Sequence, residues 1–194
     1  MNIGLDIDNV ISAFDETVLK ALLQEDKNKR GSGIVNKNAR HIVLGMFDWS
    51  QEEIDEFFAK NMEPLAGKLK TRKNCKKYMD KLLEDGHKLF LISNRAYPHY
   101  NNPESTTLDW LTKRNINYTK LILSESPDKT KECFENNIDI MVDDRSTHCN
   151  KMQANGVNCI LMLTKYNKLE KDGLMYATSW KNLYEVISTW KNKH

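Results

Sequence analysis

Residues 1–10 read Met-Asn-Ile-Gly-Leu-Asp-Ile-Asp-Asn-Val. A short apolar run leads into two aspartates separated by one residue. The run, residues 2–7, has the length and Ile/Leu content of a strand buried on both faces, as strands of parallel sheets are. Four more runs share this character, over residues 88–92, 120–123, 138–142 and 159–163. Helical patterns lie between most of them. Residues 74–85 place Met79, Leu82 and Leu83 on one stripe and stop at Gly86. Residues 106–114 carry Leu108 and Leu111, residues 128–136 read as a short helix before the fourth strand, and residues 146–155 end at Gly156. Residues 179–190 close the series with Leu183, Val186 and Ile187. Strands alternating with helices predict an α/β fold built on a doubly wound parallel sheet.

The alternation breaks once. Between the first two strands lie about eighty residues without a strand pattern, far more than a crossover connection requires. They carry helical patterns at residues 17–27, 36–46 and 50–60, with Gly31-Ser32-Gly33 between the first two. The surplus is expected to form a small helical cap over one end of the sheet. The expected division is residues 1–13 and 74–194 for the α/β core and 14–73 for the cap.

The chain has 194 residues, 40% of them hydrophobic and 29% charged, which is the composition of an ordinary globular protein with a sizeable core. A net charge of +2 makes no electrostatic case for binding nucleic acid or a membrane. The basic cluster Lys68-Leu69-Lys70-Thr71-Arg72-Lys73 reads as a solvated helix end. No run approaches the ~20 apolar residues that span a bilayer, and no signal peptide is expected. Cys75, Cys133, Cys149 and Cys159 form no CxxC pair, so they are expected to be reduced thiols of a cytoplasmic protein.

Three strands end in polar groups: Asp6-Ile7-Asp8-Asn9-Val10, Ser93-Asn94-Arg95 and Asp143-Asp144-Arg145. Lys129 starts the helix before the fourth strand. In open α/β sheets ligands bind beyond the carboxyl ends of the strands, where strand order reverses, so these groups are expected in one crevice. Carboxylates gathered that closely need a neutralising cation. All-oxygen ligands favour a hard ion such as Mg²⁺. One carboxylate can accept a phosphoryl group, a second can move the proton of the leaving oxygen and then of water, and a lysine with backbone N–H groups can hold the phosphoryl oxygens. The set is complete for hydrolysis of phosphate monoesters.

These motifs resemble those of the haloacid dehalogenase superfamily, in order and spacing over nearly the whole chain. Asp6-Ile7-Asp8-Asn9-Val10 is similar to its first motif, Ser93 to the second, Lys129 to the third and Asp143-Asp144 to the fourth. Within the superfamily the chain looks most like the 5′(3′)-deoxyribonucleotidases, through Asp6 to Val10, Met62-Glu63-Pro64-Leu65-Ala66-Gly67, Asp128-Lys129-Thr130 and Ile140-Met141-Val142-Asp143-Asp144-Arg145. It departs from the mammalian enzymes in a longer helix between Lys129 and Asp143, and in the cap.

The resemblance implies a Rossmann-like core with the cap inserted after the first strand. It also implies a Mg²⁺-dependent phosphohydrolase acting through an aspartyl-phosphate, a 5′-nucleotidase for (deoxy)nucleoside monophosphates. The alternative is a phosphatase of the same superfamily acting on a sugar phosphate or another small phosphorylated metabolite. The implied roles are Asp6 as nucleophile and metal ligand, and Asp8 as general acid/base whose main-chain carbonyl also binds the metal. Ser93, the Asn94 backbone and Lys129 would hold phosphate, with Asp143 as metal ligand and Asp144 holding a metal-bound water.

Simpler readings compete residue by residue. A lone Asp-x-Asp is common in turns and caps. Lys131 rivals Lys129, but the match of Asp-Lys-Thr favours Lys129. Arg95 can touch phosphate or take a surface or salt-bridge role, and Arg145 reads as structural. Phe14, Phe47 and Trp49 are candidates to stack a nucleobase, while Phe57 and Phe58 read as packing. His99 and His148 lack metal-ligand spacing. A receiver domain also clusters acids and a lysine on a parallel sheet. It places the acidic pair on its first strand and has no cap. A degenerate binding protein is disfavoured because no expected catalytic residue is missing.

Overall fold

The computed structural model describes residues 1–42, 45–96 and 98–191. Six strands, β1 (Asn2–Leu5), β2 (Lys88–Ser93), β3 (Lys120–Leu123), β4 (Ile140–Asp143), β5 (Cys159–Met162) and β6 (Met175–Ala177), make one sheet in the order β3-β2-β1-β4-β5-β6. Every pairing is parallel. The helices are α1 (Phe14–Lys29), α2 (Gln51–Ala66), α3 (Cys75–Glu84), α4 (Pro103–Lys113), α5 (Thr130–Glu135), α6 (Ser146–Ala154) and α7 (Trp180–Lys191). The doubly wound parallel sheet expected from sequence is therefore present. The sixth strand, β6, escapes the sequence reading, because three residues with Tyr176 exposed carry no period. No helix among the described residues is long and apolar enough to cross a membrane.

Side chains alternate across the sheet as strand geometry requires. Ile3, Leu5, Leu89, Leu91, Ile140, Val142, Ile160 and Met162 pack with α3, α4 and α7. Phe90, Ile92, Met141, Cys159 and Leu161 pack on the other face with Cys133 of α5 and Cys149 and Met152 of α6. On that second face Gly4 leaves room for its neighbours. A Cβ there would lie 2.5 Å from Met141 Sδ and 3.2 Å from Ile138 Cγ2. All four cysteines are buried and free.

Residues 14–69 leave and rejoin the sheet through two adjacent chain segments. Ala13 N donates to Lys70 O at 2.7 Å and Arg72 N to Ile11 O at 2.8 Å, with an antiparallel bridge between Ser12 and Thr71. Two buried indoles pin this stem to the core. Trp180 Nε1 donates to Val10 O at 2.8 Å, and Trp110 Nε1 to Leu69 O at 2.8 Å.

The inserted segment has its own apolar cluster. Val18 and Leu22 of α1 meet Ile54, Phe57, Phe58 and Met62 of α2, with Tyr100 contributed from beyond β2. Helix α2 starts on a capping box between Ser50 and Glu53, which fits the sequence pattern. The helix expected over residues 36–46 does not form. The chain there makes turns and bends among the described residues, with Val43 and Leu44 outside them. Val35 N and Asn36 N both donate to Met46 O, so the segment closes as a loop, and the Asn36 side chain accepts from Asn38 N at 3.0 Å. Asparagine side chains compete with the helical ladder in this way.

The Trp180–Val10 contact fastens the start of the stem. Trp180→Phe is expected to leave a buried carbonyl without its donor and to lower stability by about 1–3 kcal/mol. A urea titration should show a lower midpoint with unchanged slope.

Candidate active site

The order β2-β1-β4 sets Ser93, Asp6 and Asp143 side by side at the carboxyl ends of adjacent strands, at the point where strand order reverses. Asp6 follows β1 directly, and its N–H donates to Val142 O at 2.9 Å, which extends the ladder by one residue. Lys129 reaches in from the loop after β3. That loop is a chain of side-chain turns: Ser126 N donates to Ser124 Oγ, Asp128 N to Ser126 Oγ and Thr130 N to Asp128 Oδ1. It leaves Lys129 Nζ 2.8 Å from Asp6 Oδ1 and 2.8 Å from Asp143 Oδ2, with only 2% of the side chain exposed. Lys131 points away, 78% exposed and facing Glu135 on the same helix.

Asp143 is completely buried. Its Oδ1 accepts from Arg145 N at 2.9 Å and lies 3.2 Å from His148 Nδ1. Burial alone would raise its pKa, but Lys129 and His148 outweigh burial and hold it below the usual carboxylate range. Burial also works against the charge on Lys129, and Asp143 and Asp6 overcome it, so the ammonium is held charged. Asp6 is pushed up, first by burial and then by Asp143 and Asp8 against the pull of Lys129. Asp144 is pushed up further, by burial and by the charges of Asp143 and Asp6.

Asp6, Asp143 and Asp144 each offer a carboxylate oxygen, and the three atoms lie within 4.8 Å of one another. One ammonium does not balance three such carboxylates, and the raised values of Asp6 and Asp144 express the deficit. A hard divalent cation held by these oxygens would remove it.

Asp8 lies beside this cluster. Arg95 donates to it twice, Nη2 to Oδ1 at 2.7 Å and Nε to Oδ2 at 3.1 Å. Of the two sequence readings of Arg95, the salt bridge is the one present, and it is internal: the side chain is 1% exposed. Asn94 is exposed, and its Nδ2 donates to Ser124 O at 2.8 Å. Ser93 is buried at the end of β2.

Asp6, Asp8, Ser93, Asn94, Arg95, Lys129 and Asp144 line one cavity of about 400 Å³, together with Phe14, Ile54, Phe58, Met62, His99 and Tyr100, while Asp143 lies buried behind them. His99 and His148 both border it. Phe47 and Trp49 do not belong to its lining. They sit in the apolar cluster of the inserted segment, where Trp49 Nε1 donates to the buried Asp26 at 2.9 Å. Phe58, which reads as packing in the sequence, is on the cavity wall with its ring centroid 5.7 Å from that of His99.

Asn9 is a residue the sequence reading passes over. It adopts a left-handed φ of 61°, a conformation that asparagine tolerates better than most residues. Its Nδ2 donates to Asp15 Oδ1 and to Asp144 Oδ2, each at 2.9 Å. Its place in the turn after Asp-x-Asp was the available signal. Arg145 meets His41 across the gap between the core and the inserted segment.

Solved structures with this fold include haloacid dehalogenase-like hydrolases. One from Streptococcus pneumoniae superposes with a TM-score of 0.68 at 13% identity, over 97% of each chain. Another, from Deinococcus radiodurans, has a TM-score of 0.67 at 13% identity over 97% of this chain and 95% of the other, and holds bound phosphate and sodium. The chain belongs to the family described as NT5C, 5′ nucleotidase, deoxy (Pyrimidine), cytosolic type C protein, whose model matches residues 1–193. A Chlorobaculum tepidum protein provisionally named a 5′(3′)-deoxyribonucleotidase is 20% identical over 97% of this chain and 90% of its own length. The chain is thus a phosphoric monoester hydrolase of the 5′-nucleotidase type.

The two lysines of the Asp-Lys-Thr-Lys run are separable by experiment. In chelator, Lys129→Met should destabilise the fold by about 3–5 kcal/mol, as loss of one partner from a buried ion cluster does. Lys131→Ala should stay within about 0.5 kcal/mol of the parent. Urea midpoints of the two variants check both.

Proposed function

We propose that the protein is a Mg²⁺-dependent 5′-nucleotidase that dephosphorylates (deoxy)nucleoside monophosphates through an aspartyl-phosphate on Asp6. The observation that carries this reading is the convergence of Asp6, Asp143, Asp144 and Lys129 beside a cavity that Phe14, Ile54, Phe58 and Met62 also line. Asp6 and Asp143 with the Asp8 main-chain carbonyl would hold the ion, and the Asp144 carboxylate stands close enough to share in this. Bound there, Mg²⁺ supplies positive charge that offsets repulsion between the carboxylates and the phosphate dianion.

In the first step an Asp6 oxygen forms a bond to phosphorus while the ester P–O bond breaks, and Asp8 gives its proton to the departing oxygen. Lys129, the Ser93 hydroxyl and the Asn94 N–H hold the phosphoryl oxygens as their charge shifts. In the second step Asp8 takes a proton from water, the water oxygen bonds to phosphorus, and Asp6 leaves as a free carboxylate. Lys129 contacts both Asp6 and Asp143, so it orients the nucleophile as well.

The segment 14–73 acts as the cap in this reading. Phe14 and Phe58, on the cavity wall, are the surfaces for a planar base. The family description names a cytosolic protein, and four buried free thiols suit a reducing compartment, so the cytoplasm is the proposed location.

Three measurements test the reading. Phosphatase activity should disappear in chelator and return with Mg²⁺; full activity in chelator removes the metal from the mechanism. Asp6→Asn, nearly isosteric, should abolish turnover with the urea midpoint retained, and mass spectrometry should find no phosphorylated protein after mixing with substrate. Phe58→Ala should lower kcat/KM for a deoxynucleoside monophosphate by roughly 5- to 150-fold, the equivalent of one lost base stack of ~1–3 kcal/mol, and lower it less for a sugar phosphate. Equal losses on both, or better turnover of the sugar phosphate by the parent protein, would favour a small phosphorylated metabolite as the substrate.

A further inference from the structure

We infer that Arg95 is the positioning residue of the proton-transfer step, holding the Asp8 carboxylate in one orientation so that its Oδ2 exchanges the proton with the leaving oxygen and then with water. This rests on the reading of Asp8 as general acid/base.

The geometry is a planar fork fixed on all sides. Nε and Nη2 of Arg95 donate to Oδ2 and Oδ1 of Asp8 at 3.1 and 2.7 Å. Nη1 donates to Thr107 Oγ1 at 3.4 Å, on the first turns of α4. The guanidinium carbon lies 5.8 Å from the Tyr100 ring centroid and 5.6 Å from that of Trp110, so two aromatic faces confine it. With the side chain 1% exposed, its N–H groups at Nε, Nη1 and Nη2 donate to Asp8 and Thr107 inside the protein.

The two oxygens of Asp8 are then unequal. Oδ1 accepts from Arg95 Nη2 and also from Ser12 Oγ at 3.0 Å, which uses both its lone pairs. Oδ2 accepts one N–H from Arg95 and keeps one lone pair. Asp8 borders the cavity with its side chain 23% exposed. In the first step the proton on Oδ2 passes to the ester oxygen as the P–O bond breaks. In the second, Oδ2 takes a proton from the attacking water as the bond from Asp6 to phosphorus breaks. A lysine at position 95 would keep the charge but lose the bidentate hold.

The test is the dependence of kcat/KM on the leaving group. An alkyl ester such as a deoxynucleoside monophosphate needs its departing oxygen protonated, whereas dinitrophenyl phosphate departs as a stable anion. Arg95→Lys should lose about 10²-fold on the nucleotide, the scale of a misplaced catalytic group, and far less on dinitrophenyl phosphate. Equal losses on both esters would mean that Arg95 merely supports the fold, and would overturn the inference. Thr107→Val, which removes the partner of Nη1 without touching Asp8, provides a second variant should Arg95→Lys fail to fold. It should show the same bias in smaller measure, and absence of bias there also overturns the inference. Asp8→Asn is measured in parallel. If it shows no leaving-group bias, the assignment of Asp8 itself falls. If it shows the bias and neither other variant does, only the role of Arg95 falls.

Discussion

The ammonium of Lys129, 2.8 Å from a carboxylate oxygen on each of two strand ends, is the contact on which the site depends. Asp6 and Asp143 are brought together by the pairing of β1 with β4, and the sheet alone would set two desolvated anions against each other. A charged group from a third element makes the convergence tolerable. It also bears on the loop after β3, whose successive side-chain turns hold the start of α5 where Nζ can reach both acids. Asn9 and Arg145 do not offset the burial of Asp144 and the charges of Asp143 and Asp6, and its raised pKa marks where positive charge is still missing.

Around that contact the molecule is layered. A sheet buried on both faces provides rigid strand ends, and the inserted segment supplies the wall opposite them. The two are joined by a stem whose entering chain begins immediately after the Asp6–Asn9 turn. Trp180 and Trp110 clamp the two halves of the stem to different helices. Placement of the acidic turn and attachment of the insert are therefore one structural problem solved by the same few hydrogen bonds.

Much of this was legible in the chain. Polar residues directly after apolar strand runs have few structural uses, so Asp6, Asp8, Ser93, Asp143 and Asp144 stood out, and parallel strands announce themselves by unbroken apolar runs. What stayed hidden depended on contacts between distant residues. Arg95 can be read from sequence as a phosphate ligand or as a surface or salt-bridge residue, because nothing local says that its fork crosses to Asp8, beyond the end of the neighbouring strand. Phe47, Trp49 and Phe58 are equally aromatic, and only the fold decides that the first two pack in the insert's interior, Trp49 bonded to Asp26, while the third lines the cavity. The 36–46 segment has a helical apolar spacing, yet Asn36 and the closure of the loop on Met46 take its hydrogen bonds elsewhere. Strand β6 is too short to carry a pattern.

The central position of β1 has a consequence for how the chain assembles. Ile3 pairs with Leu89 on one side and with Ile140 on the other, so the first of these six strands waits longest along the chain for its second neighbour. Contacts so remote in sequence are reached slowly, since the entropy of closing long loops precedes any gain from pairing. On the ribosome, β1 must wait while the insert and then β2, β3 and β4 emerge. The insert, built mostly from contacts among its own residues, is free to begin condensing during that wait. The acidic cluster comes into being only when β4 docks, so the nascent chain carries its most repulsive feature in separated pieces until the lysine that reconciles them has already been made.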